Sequence, residues 1–414
     1  MAQVFPFQPY RYSASAGSLD TLVTQPYDKI SPTMQQRYLS LSPYNLVRVI
    51  LGQRRDSDND TDNVYTRAAA HLNSWLASGI LVQDKEPAFY AYSQEFEIPD
   101  TAERLVRAGF IGLGAVEEYE AGVVHRHEKT LSGPKKDRME LLRHARSHFG
   151  QVFMLYPDAD NAIDAILAQA MSGPADAEVT DEYGTVHRLW RISDTGRVAG
   201  IQQLMSGKKL AIADGHHRYE TALAFAREHP ELRDAQRVMM TFVNMYSPGL
   251  RILATHRLLT GLPSFSIEQF LQKTSTRFRC TPLKDTAELK ARWSEPHENL
   301  IRLGVAAGQS LYLLERDRRD GDLDVSVLHG ELLAGLLGID EAAVREERNI
   351  RYARGLDTAV AEIRNGTAQV AFLLEPATVE QVASVSFAGG VMPQKSTDFY
   401  PKLLSGLTIY RIEE

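Results

Sequence analysis

The segment 210–226, which reads LAIADGHHRYETALAFA, constrains this chain more than any other stretch. Leu210, Ile212 and the alanines beside them form a short apolar run typical of a buried strand, and the apolar residues after position 221 recur at helical spacing. Asp214 and Gly215 stand between them. The sequence therefore predicts a strand that breaks at a glycine and continues as a helix. The start of such a helix carries unpaired N–H groups and the positive end of the helix dipole, which suits an anion.

Charged and ring side chains collect at this predicted turn. Arg218 adds a permanent cation with a planar fork, His216 and His217 offer imidazoles, and Asp214 supplies a carboxylate. We interpret the segment as a phosphate-binding turn, although it has neither the GxxxxGK[ST] nor the GxGxxG pattern. The alternative is that Asp214 only caps the helix and the histidines lie at a solvated helix start. Capping would account for the aspartate but not for the other three side chains.

A second chemically dense stretch, VVHRHEKTLSGPKKDR, covers residues 123–138. It holds two histidines, five cations and two acids, and we expect a helix to begin near Lys135. The cations here that we expect to neutralise phosphate charge are Lys129, Lys135, Lys136 and Arg138. A solvated charged loop is the alternative interpretation, because runs of charge are usually solvated.

Composition excludes several classes of protein. The formal net charge of −7 argues against a dedicated nucleic-acid surface. The single cysteine, Cys280, excludes an internal disulfide and a multi-cysteine metal site, and it fits a reducing, cytoplasmic setting. No apolar run is long enough for a signal or a membrane span, so we expect no membrane partner.

The predicted elements indicate an α/β or mixed α+β fold in several domains, since 414 residues are many for one core. We predict an α+β region over 1–120, a core with the phosphate-binding turn over 121–262, an α/β insertion or second domain over 263–385, and a tail over 386–414. The clearest single elements are helices at Pro32–Leu41 and Val64–Ser78, a hairpin of Ala88–Ile98 with Leu105–Val116, and strands at Leu46–Leu51 and Leu253–Arg257.

The tail, FAGGVMPQKSTDFYPKLLSGLTIYRIEE, alternates aromatic, cationic and hydroxyl residues between prolines and glycines. Tails without a role tend towards disorder, whereas this composition favours a fixed shape. We expect the tail to pack back on the site and to bring Lys395, Ser396 and Lys402 to a substrate. The alternative is simple docking of the C-terminus onto the core.

Four stretches together carry a family resemblance. QPYDKIS with SPYNLVRVIL, HEKTLSGPKKDR, ADGHHRYETA and MPQKSTDFYPKLLSGL resemble, in order and over nearly the whole chain, the bacterial and archaeal domain of unknown function family 1015. The central motif also resembles the ParB/sulfiredoxin superfamily, whose GxxRxxA-type turn binds nucleotide phosphates in several branches. Gly215, Arg218 and Ala222 occupy that pattern. The resemblance implies a ParB/sulfiredoxin-like nucleotide-binding core with N-terminal and C-terminal additions.

The branches of that superfamily imply different activities. Peroxiredoxin reductases need a cysteine beside the arginine motif, and Cys280 lies outside it. ParB proteins carry DNA-binding helices and basic faces, whereas this chain is acidic and shows no helix-turn-helix signal. The remaining branch phosphorylates free L-serine. The resemblance therefore implies a nucleotide-dependent kinase for the hydroxyl of a small metabolite, with L-serine the leading candidate and ATP or ADP with Mg²⁺ as cofactors.

Phosphoryl transfer needs cations and N–H donors around the phosphates and an acid that accepts the hydroxyl proton. From these needs we assign three groups of residues. The expected catalytic residues are Glu128, Asp214 and His217. The expected nucleotide-binding residues are Gly215, His216, His217, Arg218, Lys129, Lys135 and Arg138. The expected substrate-binding residues are Asp28, His127, Lys395, Ser396 and Lys402. Glu128 is the favoured base, and Asp214 is a candidate Mg²⁺ ligand.

Two other functions stay open from the sequence. A ParB-like nucleotide-binding regulator or DNA-associated protein would use the same turn as a switch and lack kinase activity. A metal-dependent hydrolase would use His125, His127, His216 and His217, since imidazoles suit zinc. For both nucleotide-binding functions the expected partners are a nucleotide and a small molecule. We expect no nucleic-acid partner for the kinase. A homodimer is compatible with the sequence.

Overall fold

The computed structural model describes residues 1–99, 101–128, 132–296 and 298–413. Its architecture is mixed α/β, which confirms the predicted fold class, and the chain forms two compact units. The first comprises Met1–Leu250, Ser386–Gly390 and Pro401–Glu414, and the second comprises Arg251–Val385 and Val391–Tyr400. The boundary predicted between residues 120 and 121 falls inside the first unit, because one sheet takes strands from both sides of it.

The large sheet of the first unit is mixed. Within the described residues it has nine strands, in the order Val124–His125, Leu210–Asp214, Val152–Tyr156, Arg237–Asn244, Arg104–Ala115, Phe89–Glu97, Val186–Ile192 and Ala177–Thr180, with Val4–Phe5 also pairing with Arg104–Ala115. The strand Leu210–Asp214 runs parallel to Val124–His125 and antiparallel to Val152–Tyr156. Phe89–Glu97 and Arg104–Ala115 pair antiparallel, which confirms the predicted hairpin.

Helices and short elements complete the first unit. Its α-helices are Pro32–Leu41, Val47–Ile50, Val64–Ala77, Ser132–Ala145, Ala162–Ala170, Thr195–Met205 and His216–Glu228. Its 3₁₀ turns are Ala14–Ala16, Leu19–Thr21, Tyr27–Lys29, Tyr119–Ala121 and Asp234–Gln236, and its short strand pairs are Tyr10–Tyr12 with Leu81–Gln83 and Ser147–His148 with Tyr410–Arg411. The helices predicted from Pro32 and Val64 are confirmed, and the side chains of Ser31 and Asn63 cap their first turns.

The segment Leu46–Leu51 is a correction. We predicted a buried strand, but Val47–Ile50 forms a short helix whose first N–H donates to Asn45 Oδ1 at 2.9 Å. Val47, Val49 and Ile50 are all buried. A short apolar run fits a buried strand and a buried helix equally well, so the packing around it, and not its periodicity, decided the outcome.

Hydrophobic cores of buried side chains stabilise the first unit. The first joins the large sheet to the helices Ala162–Ala170 and Thr195–Met205. The second joins the helices Val64–Ala77 and Ser132–Ala145 to Phe149 and to Ile409 of the tail. Burial of these apolar side chains fixes the Ser132–Ala145 helix and the C-terminal segment on the unit.

The second unit is built on an antiparallel sheet. Within the described residues this sheet has six strands, in the order Arg279–Leu283, Ser310–Asp317, Leu300–Ala307, Val370–Leu373, Thr255–Leu259 and Ile350–Arg354. The helices are Ile267–Thr274, Thr286–Ser294, Asp324–Val327, the π-helix Leu328–Ala334, Gly335–Leu337, Glu341–Arg345, Leu356–Arg364 and Val379–Phe387. Arg251–Ile252 pairs with Phe399–Tyr400. In the described parts of both units, no helix has the length and apolar character needed to cross a bilayer.

The sequence predicted this second unit less well. The strand expected at Leu253–Arg257 lies two residues further on, at Thr255–Leu259. The strands Arg279–Leu283, Leu300–Ala307 and Ile350–Arg354 were not predicted at all. In Leu300–Ala307 nearly every residue is buried, and Arg302 is buried in an ion pair with Glu315, so this strand lacks the period-two signal.

Candidate functional site

The predicted strand–glycine–helix turn forms at the centre of the first unit. The strand Leu210–Asp214 ends at Gly215, which has a φ of 93° and begins the helix His216–Glu228. No side chain caps this helix. Asp214 instead accepts a hydrogen bond from Arg218 Nη2 at 2.9 Å and lies 3.2 Å from Lys402 Nζ. The interpretation of Asp214 as a helix cap is therefore wrong.

These cations determine the charge of Asp214. Burial would raise the pKa of this carboxyl, but the charges of Lys402, Arg218 and Lys29 hold the pKa well below its usual range. Asp214 is therefore ionised at any physiological pH. Each of its two carboxylate oxygens faces a cation, so this arrangement does not fit the roles of Mg²⁺ ligand or general base that we expected for it.

Replacing Asp214 tests this electrostatic arrangement. We expect Asp214→Asn to lower the free energy of unfolding at pH 7 by about 2 kcal/mol or more, because it leaves Lys402 and Arg218 without their anion. The folded-state pKa is depressed, so the stabilisation is present above the ordinary aspartate value of 3.8 and is lost as the pH falls below it. Urea unfolding of both proteins should show a constant difference above pH 5 that narrows below pH 4. A difference that does not change with pH would contradict the assignment.

Gly215 lets Arg218 fold back over the turn. A Cβ at position 215 would lie 3.1 Å from three atoms of the Arg218 guanidinium, and the positive φ disfavours any other residue. We expect Gly215→Ala to destabilise the protein by about 1 to 2 kcal/mol and to displace Arg218. Gly207→Ala is the matched control, since a Cβ there meets no atom within 4 Å. Thermal unfolding measures both, and equal effects would contradict the prediction.

A cavity opens beside Arg218. The space inside it, which includes open solvent at its mouth, is about 540 Å³, and it is lined by Pro26, Tyr27, Ile50, Arg138, Leu141, Leu142, Ser147, His148, Phe149, Gly150, Arg218, Thr221 and Ser405. Arg218 also donates to the backbone oxygen of Gln151. Arg138 lies with its guanidinium carbon 4.0 Å from the centre of the Tyr27 ring and donates to the backbone oxygen of Ile50 at 2.8 Å. Two of the arginines predicted to bind phosphate thus line one cavity.

A hydroxyl in this cavity has no partner. Thr221 is 4% exposed, and its Oγ1 makes no hydrogen bond to any described residue. Leaving a buried hydroxyl unsatisfied is costly, so such groups usually bond a water or a ligand. Apolar walls with a few convergent polar groups are typical of small-molecule sites.

The two buried histidines of the site are neutral. His127 and His216 pack edge to face with ring centres 4.7 Å apart. Burial lowers the pKa of His127 to about 4 and that of His216 well below its usual value. His127 hydrogen-bonds to the backbone of Ile212, and His216 Nε2 is buried without a partner among the described residues. At neutral pH each ring can donate one hydrogen bond and accept another, but neither ring adds a positive charge to the site.

The zinc interpretation is not supported by the geometry. Within the described residues, no group of three or more His, Cys, Asp or Glu side chains is arranged to hold a metal ion. His125 bonds to the backbone oxygen of Gly122 at 3.1 Å and packs against Phe387 instead. His125 and His127 are close in sequence but therefore lie in different surroundings.

Neighbouring charged groups surround the start of the helix. Glu220 pairs with Arg126 at 3.3 Å and with Lys135, and it is shielded from solvent. Asp28 and Lys29 lie on the Tyr27–Lys29 turn, and their charges act on His217 and Asp214 respectively. Burial lowers the pKa of His217, and the negative charges of Glu220 and Asp28 oppose that shift.

The structure brings only part of the predicted set together. Asp28, His127, Gly215, His216, His217, Arg218, Lys135, Arg138 and Lys402 belong to the first unit, as does the partly exposed Glu128. Lys136 is exposed on the Ser132–Ala145 helix, and Lys129 lies outside the described residues. Lys395 and Ser396 belong to the second unit. There Ser396 donates to the backbone oxygen of Pro393.

The site residues that sequence reasoning missed include Tyr27, Gln151, Glu220 and Thr221. Glu220 and Thr221 lie inside the central motif, and a helix wheel places Thr221 near Arg218, so their positions carried a usable signal. Tyr27 and Gln151 carried no such signal, because they contact Arg138 and Arg218, which are distant from them in the sequence.

The first unit is therefore a mixed α/β unit with a cavity lined in part by Arg138 and Arg218. A family model described as a protein of unknown function, DUF1015, matches residues 4–336, so the chain belongs to this family. The match confirms the first resemblance seen in the sequence. No curated protein matches the chain. The relation to the ParB/sulfiredoxin superfamily remains a prediction.

Several solved structures share a distant likeness. A conserved hypothetical protein from Pyrococcus furiosus has a TM-score of 0.35 and 12% identity, covering 68% of this chain and 90% of its own. A free serine kinase in complex with AMP has a TM-score of 0.37 and 12% identity, covering 69% and 89%. SbnI with a C-terminal truncation, from Staphylococcus aureus, has a TM-score of 0.37 and 10% identity, covering 72% and 87%. At these TM-scores the likeness does not bear on function.

Proposed function

We propose that the first unit binds a nucleotide and transfers its terminal phosphoryl group to the hydroxyl of a small metabolite, with free L-serine as the leading candidate. The observation that carries the proposal is the cavity in which Arg138, Arg218 and the unpartnered Thr221 hydroxyl converge beside the start of the helix His216–Glu228. The choice of L-serine rests on the resemblance of the central motif to the free serine kinases.

The cavity residues fit a nucleotide. Guanidinium groups bind phosphate oxygens with two parallel N–H donors, and Arg218 and Arg138 supply such groups. Leu141, Leu142 and Phe149 provide apolar surface for a base, and Thr221 offers a hydroxyl to a polar edge. The helix start at Gly215 adds N–H groups and the positive end of the helix dipole.

Glu128 is the base that the chain topology favours. It follows the strand Val124–His125, which pairs in parallel with Leu210–Asp214. Parallel strands end at the same edge of a sheet, so Glu128 and the phosphate-binding turn leave the sheet on the same side. Asp214 faces two cations, whereas a base must reach the substrate hydroxyl.

The reaction would proceed by in-line displacement. The hydroxyl oxygen bonds to the terminal phosphorus, the bond from that phosphorus to the bridging oxygen breaks, and the hydroxyl proton passes to Glu128. Arg218 and Arg138 would neutralise the charge on the phosphate oxygens. Mg²⁺ would supply further charge neutralisation when bound, and Asp28 would hold it together with the phosphates, since Mg²⁺ needs only one or two protein carboxylates.

A second candidate is a nucleotide-binding regulator without kinase activity. The observation that favours it is the closed pairing of Asp214 with Lys402 of the tail. A nucleotide phosphate that competes for Arg218 or Lys402 would change how the tail is held, as in a switch.

One assay separates the two candidates. Purified protein is incubated with Mg²⁺, ATP or ADP, and a panel of small hydroxyl compounds that includes L-serine, and phosphorylated product is followed by mass. The kinase predicts product, and the regulator predicts nucleotide binding without product. Absence of both binding and product would refute the nucleotide site itself.

A second experiment tests the assignment of Glu128 as the base. We expect Glu128→Gln to reduce product formation about 100-fold or more, because the amide cannot accept the hydroxyl proton. Glu118→Gln is the control, since Glu118 is an exposed partner of Arg227 on the surface. Full activity in a folded Glu128→Gln protein would exclude Glu128 as the base.

A further inference from the structure

The second unit contains a buried cation that has no counterion among the described residues. Arg257, on the strand Thr255–Leu259, is 2% exposed. In the described part of the chain its N–H groups donate to neutral backbone oxygens alone, those of Thr255, of Lys395 at 3.0 Å and of Gln394 at 3.4 Å. Its Nε is buried and has no acceptor among the described residues. Buried charges in proteins are normally paired with an opposite charge, so a buried guanidinium without a counterion among the described residues is unusual.

No carboxylate in the described part of the chain pairs with Arg257. Asp398, the acid of the adjoining segment, accepts two hydrogen bonds from the side chain of Arg354. Burial lowers the pKa of Arg257 to about 10, and only Tyr352 opposes that shift. A bound anion would reverse this destabilisation of the charged form.

A second cation approaches the same place. Tyr352 lies directly opposite Arg257 in the antiparallel pair of strands. The centre of its ring is 5.5 Å from the Arg257 guanidinium carbon and 6.0 Å from Lys395 Nζ. Lys395 is exposed and has a φ of 57°, a conformation that is uncommon for lysine. Two cations beside one ring create a positive potential that attracts an anion.

A buried imidazole nitrogen lies within electrostatic range of Arg257. His329 Nε2 is buried and unpartnered among the described residues. Burial, together with the charge of Arg257, lowers the pKa of His329 to about 3, so its ring is neutral and can donate one N–H. His329 lies in the π-helix Leu328–Ala334, and π-helical turns frequently occur at functional sites.

We propose that Arg257, His329, Tyr352 and Lys395 form a binding site for a small oxyanion, either a carboxylate or a phosphoryl group. The site lies wholly within the second unit and goes beyond the nucleotide site proposed for the first. Lys395 combines a backbone conformation that is uncommon for lysine with an ammonium group 6.0 Å from the ring that Arg257 contacts.

The test measures thermal stability of the full chain against increasing sodium phosphate, with sodium chloride at equal ionic strength as the reference. A ligand that binds only the folded state raises Tm in a saturable way. We expect such a rise for the natural protein. Lys395→Gln should move the half-saturating phosphate concentration about fivefold higher, and Arg257→Met should abolish the response. Lys273→Gln, which removes an exposed cation of the same unit, should respond like the natural protein.

Further titrations distinguish the remaining explanations of a rise in Tm. A parallel titration with sodium acetate shows whether the site prefers a carboxylate or a phosphoryl group. Arg218→Ala removes an arginine proposed to bind phosphate in the first unit, so a response that persists there and weakens in Lys395→Gln belongs to the second unit. The inference is overturned if neither anion gives a saturable rise, or if Lys395→Gln and Arg257→Met respond like the natural protein. Lys395→Gln decides alone if Arg257→Met does not fold, and nucleotide binding measured separately shows whether the proposed function holds.

Discussion

Arg218→Ala is expected to reduce nucleotide affinity and product formation about 100-fold or more. Arg218 lines the cavity, donates to Asp214 and Gln151, and presents the fork that phosphate oxygens require. Removing one preorganised donor to a developing charge costs roughly 3 kcal/mol in other enzymes, which is a factor of about 100. Arg218→Lys keeps the charge without the fork and should recover only part of the loss. Nucleotide binding by calorimetry and product by mass measure both effects.

The matched control for this substitution lies on the same helix. Arg227→Ala removes an arginine that is 62% exposed and pairs with Glu118 on the surface. It should leave affinity and turnover within about twofold, since exposed ion pairs contribute little. Circular dichroism checks that each variant is folded. Undiminished turnover in a folded Arg218→Ala protein would show that the central turn has been misassigned.

Lys402→Met is expected to lower the free energy of unfolding by about 2 to 3 kcal/mol. The Lys402 side chain is only 8% exposed, and its ammonium lies 3.2 Å from Asp214. Removing one partner of a buried pair leaves the other charge poorly compensated, although Arg218 still faces Asp214 and limits the loss. The pKa of Asp214 should rise, since the largest charge that depresses it is gone. Urea unfolding measures the stability.

A double-mutant cycle isolates this pair. Lys402→Met combined with Asp214→Asn should cost less than the sum of the two single changes, because the second change removes a charge that the first has already left uncompensated. Lys209→Met, at an exposed lysine, is the control and should change stability by less than about 0.5 kcal/mol. Additive effects in the cycle would mean that Lys402 and Asp214 do not interact in solution.

Local signals predicted the parts of the fold that depend on neighbours in sequence. The strand–glycine–helix turn formed as expected because an apolar run, a glycine and a helical repeat follow one another within 210–226. The hairpin of Phe89–Glu97 and Arg104–Ala115 formed because alternation and turn residues specify it locally. Leu46–Leu51 was predicted wrongly, since an apolar run without a clear period leaves helix and strand equally open.

By itself the sequence determined the chemistry available to this protein, since residue types and local turns are set by the order of the chain. It placed Asp214, Gly215 and Arg218 on one turn, because these residues are near neighbours between a strand and a helix. Only the tertiary structure decided their partners. The contact of Lys402 with Asp214 joins positions 188 residues apart, and the burial of Arg257 without an acid depends on strands that pair across the second unit. Such contacts arise from packing and solvent exclusion, which have no local signature in the order of residues.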